Sequence, residues 1–239
     1  MILANHGIIS SSGGLPPSTL LTNLYAVYKA ESNANDSLGA YNGTAQGGLT
    51  YTAGKSGNAF VGNGTSAFVQ MPNNSTNFTG SFSVSMWVNL ANVSTSQYLL
   101  SNYSGGGANG YGWLVYMSPS INVGNKSIVF DIRDGNNIGQ VNTIQTISTS
   151  TWYHVAVTRE VGQPLKIYWN GVDTGAGYSL GNVSNIPTYP STQECSILKV
   201  STGYANSTAD ELYIYSKVLI PSEVTELYNS SNGKFYPTF

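Results

Sequence analysis

Two stretches of the sequence carry side chains of the kinds that grip a hydroxyl-rich ligand. "SNYSGGGANGYGW" (residues 101–113) supplies Tyr103, Asn109 and Tyr111, with Trp113 behind them, and "DIRDGNN" (131–137) supplies Arg133, Asp134 and Asn136. Aromatic faces cover apolar C–H surface, while amides, carboxylates and a guanidinium hydrogen-bond hydroxyls; ligand sites combine these characters. The competing reading is a loop with ordinary surface tyrosines, in a chain that has 17 of them.

A second constellation is made of hard oxygens. "SNANDSLGAYNG" offers Asn35, Asp36 and Asn42, and "ADELYIY" offers Asp210 and Glu211. Carboxylates with amide carbonyls are calcium ligands, and one structural calcium ion could be held here if the two segments are neighbours. Against this, an Asp at such a position commonly binds its own loop backbone.

The chain is expected not to be an enzyme. Glycoside cleavage needs two carboxylates about 5–10 Å apart. The nearest pairs, Asp131 with Asp134 and Asp210 with Glu211, have opposite parity and on regular strands face opposite sides. A Gly-x-Ser-x-Gly elbow is absent. His154 lies in "WYHVAVTRE", an alternating segment, and reads as a sheet residue rather than a base; His6 has no visible partner. The lone Cys195 excludes an intrachain disulfide and reads as a small buried hydrophobe.

These residues sit on a pattern of alternation broken by Gly and Asn. "SFSVSMWV" puts Phe82, Val84, Met86 and Val88 on one face and mostly serines on the other, the pattern of a half-buried antiparallel strand. "IVFDI" aligns Ile128, Phe130 and Ile132; "YHVAVTR" aligns Val155 and Val157; "LKIYW" aligns Leu165, Ile167 and Trp169 and ends in Asn170-Gly171, a tight-hairpin signal. "DELYIY" aligns Leu212 and Ile214. Closely spaced turn signals between such strands predict an all-β, two-sheet antiparallel sandwich. A helical turn is expected near Ser18–Leu24. "IPSEVTELYN" predicts one short C-terminal helix, with Pro221 at its start and Val224, Leu227 and Tyr228 on one side.

Composition narrows the partners. Apolar residues make up 41% of the 239 residues, enough for a large core, and charged residues only 8%, against about 25% in typical domains. A net charge of -2 without a basic cluster argues against nucleic acid, and no apolar run is long enough for membrane insertion. "MILANHGIISSSGG" lacks the basic and apolar regions of a signal peptide.

Taken in order, "LYAVYKAESNANDSLGAYNGTA", "GKSGNAFVGNGTSAFVQMP", "FSVSMWV", "TWYHVAVTRE", "LKIYWNGV" and "ADELYIYSKVLIPSEVTELYN" resemble the laminin-G-like, concanavalin A-like domains, over residues 24–230. The chain departs from that group in lacking a hydroxyl at Ile220, before the helix, and in carrying Glu31 and Tyr213 where Asp and Arg are common. The Glu-x-Asp-x-x-Glu carboxylates of the group's glucanases have no counterpart. The resemblance implies a jelly-roll sandwich over 24–239, preceded by an N-terminal arm (1–23), with sugar binding rather than hydrolysis. The leader is similar to N-termini of tailed-phage virion proteins. That implies a structural protein on the virion surface, on capsid or tail, attached through residues 1–23 to other virion proteins, homo-oligomeric, and able to contact host or environmental glycans. The alternatives are a stand-alone lectin module and a glycoside hydrolase.

Overall fold

The computed structural model describes residues 18–105, 110–122, 125–135, 137–174, 189 and 193–239. In chain order the first strands are β1 (Leu24–Tyr28), β2 (Thr44–Gln46), β3 (Thr50–Ala53), β4 (Asn58–Val61), β5 (Phe68–Met71) and β6 (Phe82–Leu90). Then come β7 (Gln97–Ser104), β8 (Tyr111–Asn122), β9 (Asn125–Asp134), β10 (Asn137–Asn142), β11 (Trp152–Arg159) and β12 (Lys166–Trp169). The last are β13 (Val172–Asp173), β14 (Cys195–Ile197), β15 (Lys199–Val200), β16 (Gly203–Tyr204) and β17 (Ser207–Tyr215), followed by helix α1 (Pro221–Tyr228).

The strands build the expected two-sheet antiparallel sandwich, of jelly-roll type. One eight-stranded sheet runs β13-β12-β11-β6-β17-β4-β3, with β1 beside β17 as well; the seven-stranded sheet runs β10-β9-β8-β7-β14-β5-β2. Inward-facing alternate residues interlock between them. Phe82, Val84, Met86 and Val88 of β6 share one core with Trp113 and Val115 of β8 and Ile128, Phe130 and Ile132 of β9. Phe82 sits at its centre, its ring centroid 5.0 Å from both Phe78 and Trp113.

One expectation is corrected here. The serine face of β6 is buried too, because the eight-stranded sheet is covered on both sides. Leu20, Val27, Ala156, Tyr168, Tyr213, Tyr215, Leu219, Val224 and Leu227 form a second cluster over its outer face, joined by Tyr236 and Phe239. The serines are satisfied internally: Ser83 Oγ donates to Lys217 O and accepts Leu219 N, and Ser85 Oγ bonds His154 Nε2 at 2.8 Å.

Helix α1 starts without a capping hydroxyl. Instead Glu223, three residues in, accepts the Ile220 amide at 3.0 Å, while Pro221 supplies a first position that needs no donor. The expected turn near Ser18–Leu24 is one hydrogen-bonded turn, Thr22 N to Thr19 O, and Leu20 within it is buried in the second cluster. The Asn170-Gly171 hairpin forms, with φ +50° and +80°, the signs of a type I′ turn. No helix among the described residues is long and apolar enough to cross a membrane.

Candidate functional site

The outer face of the seven-stranded sheet differs from its counterpart: its aromatic residues are half-buried and mixed with charge. Three neighbouring strands bring two of the predicted residues, Tyr103 and Arg133, together. Gly112 of β8 pairs with Tyr103 of β7 on one side and Arg133 of β9 on the other. Because Gly112 has no side chain, the Arg133 guanidinium spans the gap and lies 6.0 Å from the Tyr103 ring centroid. Tyr111 pairs with Asp134 one position further along, so this pair has the opposite parity, at the strand ends. Tyr111 is 37% exposed, and its carbonyl accepts Gln193 Nε2. Asn109 and Asn136 lie outside the described residues.

Two residues along β9 from Arg133, and on the same face, is Asp131. Its carboxylate accepts Arg133 Nη2 at 2.8 Å and Nε at 3.1 Å. Gln140 of β10 reaches both Asp131 Oδ2 and Tyr116 Oη at 3.4 Å. Burial pushes the Asp131 carboxyl up, against the pull of Arg133; burial likewise opposes the Arg133 charge, and Asp131 more than offsets it. The pair is a fixed, neutralised unit. A network therefore runs Tyr103–Arg133–Asp131–Gln140–Tyr116.

The face continues across the sheet. Tyr116 pairs with Tyr98 of β7, their ring centroids 5.8 Å apart. The β15–β16 hairpin lays Gly203 against Tyr98, so close that a Cβ there would sit 2.3 Å from the ring. Tyr204 then meets Phe68 of β5 at 6.0 Å. Lys199 Nζ lies 4.5 Å from the Phe68 ring centroid and is ion-paired to Glu194. Sequence reasoning missed Tyr98, Tyr116, Tyr204 and Phe68. The period-2 spacing of Leu114 and Tyr116 was available as a signal, but the adjacency of β5, β14 and β7 was not.

The hard-oxygen residues are placed differently. Asp36 Oδ1 accepts the amides of Val27 and Leu38, and Oδ2 those of Ala40 and Tyr41. Asn42 Oδ1 accepts the Asp36 amide at 3.1 Å. All four carboxylate lone pairs of Asp36 thus hold the loop, and this donor set does not fit a calcium ion. Asp210 Oδ2 accepts Lys55 N and Ser56 N, tying down the β3–β4 turn. Among the described residues no three His, Cys, Asp or Glu side chains gather as a metal-binding group. The expected opposite facing of Asp210 and Glu211 is also corrected. β17 bulges against β6 after Asp210, and Glu211 has φ +47°. The Glu211 side chain consequently reaches Tyr213, which lies on the Ser85 face.

His154 is fully buried under α1, packed against both the Trp87 and the Tyr228 rings. Burial alone lowers its pKa to about 3, so it stays neutral and serves the sheet. Cys195 is buried and free.

Residues 63–225 match the family profile described as the concanavalin A-like lectin/glucanases superfamily, of the laminin-G type. No curated protein matches the chain in sequence. Among solved structures, one similar fold is domain 4 of AbnA, a GH43 extracellular arabinanase from Geobacillus stearothermophilus, in complex with arabinotriose. The TM-score is 0.65 and the identity 24%, over 89% of this chain and 98% of that one. The binding domain of Paraclostridial Mosquitocidal Protein 1 has a TM-score of 0.66 at 19% identity, over 87% of this chain and 52% of that one. The binding domain of botulinum neurotoxin DC, in complex with SialylT, has a TM-score of 0.64 at 16% identity, over 89% of this chain and 52% of that one. The chain thus spans about half the length of these two toxin domains. At such identities the likeness is one of fold.

Proposed function

From the concanavalin A-like lectin/glucanase superfamily, to which this chain belongs, we propose a non-catalytic glycan-binding domain whose ligand lies on the outer face of the seven-stranded sheet. The observation that carries this reading is the network Tyr103–Arg133–Asp131–Gln140–Tyr116, in which half-buried rings alternate with fixed hydrogen-bonding groups. Sugars present that same alternation of C–H faces and hydroxyls, and preorganised polar groups fix their orientation. The arabinotriose and SialylT complexes of the fold relatives support the ligand class. Binding rather than cleavage is favoured because Asp131 is tied to Arg133 and Glu194 to Lys199, so neither is free to act as acid or nucleophile.

Display on a phage capsid or tail, through residues 1–23 and alongside other copies and other virion proteins, belongs to the same proposal. Its support is the leader sequence and the low charge of the chain. Screening the full chain and Tyr103→Ala on a glycan array tests the binding reading. We expect retained glycans that are lost or weakened in the variant; an array on which the wild type retains nothing overturns it. Deleting residues 1–17, which precede the described fold, is expected to abolish particle association and leave glycan binding unchanged.

A further inference from the structure

The row of rings crossing the outer face has a length and a charge balance that specify more than "a glycan". We infer that the ligand is an uncharged, linear oligosaccharide several units long, laid across the strands from Tyr116 to Phe68. This rests on the glycan-binding reading above and deepens it.

Length comes from the sheet order. Tyr116 is on β8, Tyr98 on β7, and Phe68 on β5, with β14 between β7 and β5. Adjacent strands are about 4.8 Å apart, so the row spans three steps, roughly 14 Å. A single sugar ring covers only one of these platforms. Tyr204, brought in by the β15–β16 hairpin, meets Phe68, and the ring pairs at 5.8 Å and 6.0 Å make two platforms on different strands of the sheet. In each pair the rings are tilted, by 30° and 57°, so a ligand meets successive inclined faces rather than one flat surface.

Charge comes from the two cations that face this row. Arg133 flanks the Tyr103 end and Lys199 the Phe68 end, and each is matched by its own carboxylate, Asp131 and Glu194. An acidic sugar would have to compete with a carboxylate already in place, and opening such a pair leaves a partly buried charge unsatisfied. A neutral chain needs neither pair broken. It can hydrogen-bond the paired groups as they stand.

The test uses the full chain on an array of linear neutral, sialylated and sulfated oligosaccharides of graded length. Titration calorimetry of the strongest neutral series then follows at low and high salt (about 0.02 and about 0.5 M). We expect affinity to rise at least tenfold from monosaccharide to tetrasaccharide, about 1.4 kcal/mol, with little change between the two salts. Phe68→Ala and Tyr98→Ala should each remove most of that gain. Preference for sialylated or sulfated probes, with affinity falling in salt, overturns the inferred charge while glycan binding stands. Equal affinity for monosaccharide and tetrasaccharide overturns the inferred length. No retained sugar of any kind overturns this inference together with the reading beneath it.

Discussion

Glu211 and Tyr213, two residues apart on β17, lie on one face of the sheet, where the phenol donates to Glu211 Oε2. Glu211 Oε1 is buried without a partner among the described residues. Tyr213 Oη in turn accepts the Tyr236 amide at 3.1 Å, so this carboxyl sits at the root of the C-terminal tail.

Burial pushes the Glu211 pKa up to about 8; the Tyr213 hydrogen bond and Lys29 pull the other way, and Asp210 and Glu31 add repulsion. Asp210 is pushed up to about 7, again by burial first. Both groups keep a proton in the folded state that the unfolded chain releases near its ordinary pKa of about 4. The folded state therefore binds more protons between about pH 4 and pH 7–8. From these carboxyls stability is fully present below pH 4, falls as pH rises through that window, and levels off above it. Glu211→Gln should reduce the downward slope between pH 5 and 7 by about 1.4 kcal/mol per pH unit. Urea denaturation of both proteins at three pH values measures it, and parallel slopes would sink the assignment.

His154 works with the opposite sign. Its folded pKa, near 3, lies below the value of about 6.5 expected when unfolded. The unfolded chain takes up a proton that the folded sheet refuses, so this contribution is present above pH 6.5 and is lost as pH falls toward 3. Within pH 5–6.5 it partly cancels the two carboxyls. His154→Leu should remove that offset, making stability fall more steeply with rising pH by about 1.4 kcal/mol per unit. At pH 7 it should also cost about 1–3 kcal/mol, because Ser85 loses its buried partner. The same urea titrations report both numbers; an unchanged pH slope would mean that His154 is not held neutral.

These two sites mark the limit of what the sequence makes legible. Alternation located the inward rows Phe82–Val88 and Ile128–Ile132, and Asn170-Gly171 located its hairpin. Alternation also placed the Ser83 and Ser85 face in water, because a small polar residue reads as exposed. It is buried because α1 and the tail, more than 130 residues later, lie over it. Parity failed at Asp210 and Glu211 for a local reason: one extra residue in a bulge restores a shared face, and nothing in "ADELYIY" announces it. At the candidate site, Tyr103 and Arg133 were readable as types and do meet. The row from Tyr116 to Phe68 was not, since it depends on which distant strands become neighbours.

Gly112, between Tyr103 and Arg133, is where the site and the fold constrain the same atom. Its φ of +104° disfavours any side chain, and a Cβ would stand 2.0 Å from the carbonyl oxygen of Asn102 and 2.5 Å from Gln193 Nε2. Asn102 pairs across the ladder with Trp113 and its side chain bonds Thr76, so that backbone has no room to yield. Gly112→Ala should therefore cost about 3 kcal/mol or more, combining backbone strain with overlap. Gly162→Ala is the matched control. Its φ is +78° with nothing within 4 Å of the new Cβ, so strain alone should cost about 1 kcal/mol. Urea midpoints of the two variants decide the matter: a clear excess loss for Gly112→Ala supports a steric lock at the centre of the Tyr103–Arg133 contact, and equal losses would mean that β7 and β8 can part there at no extra cost.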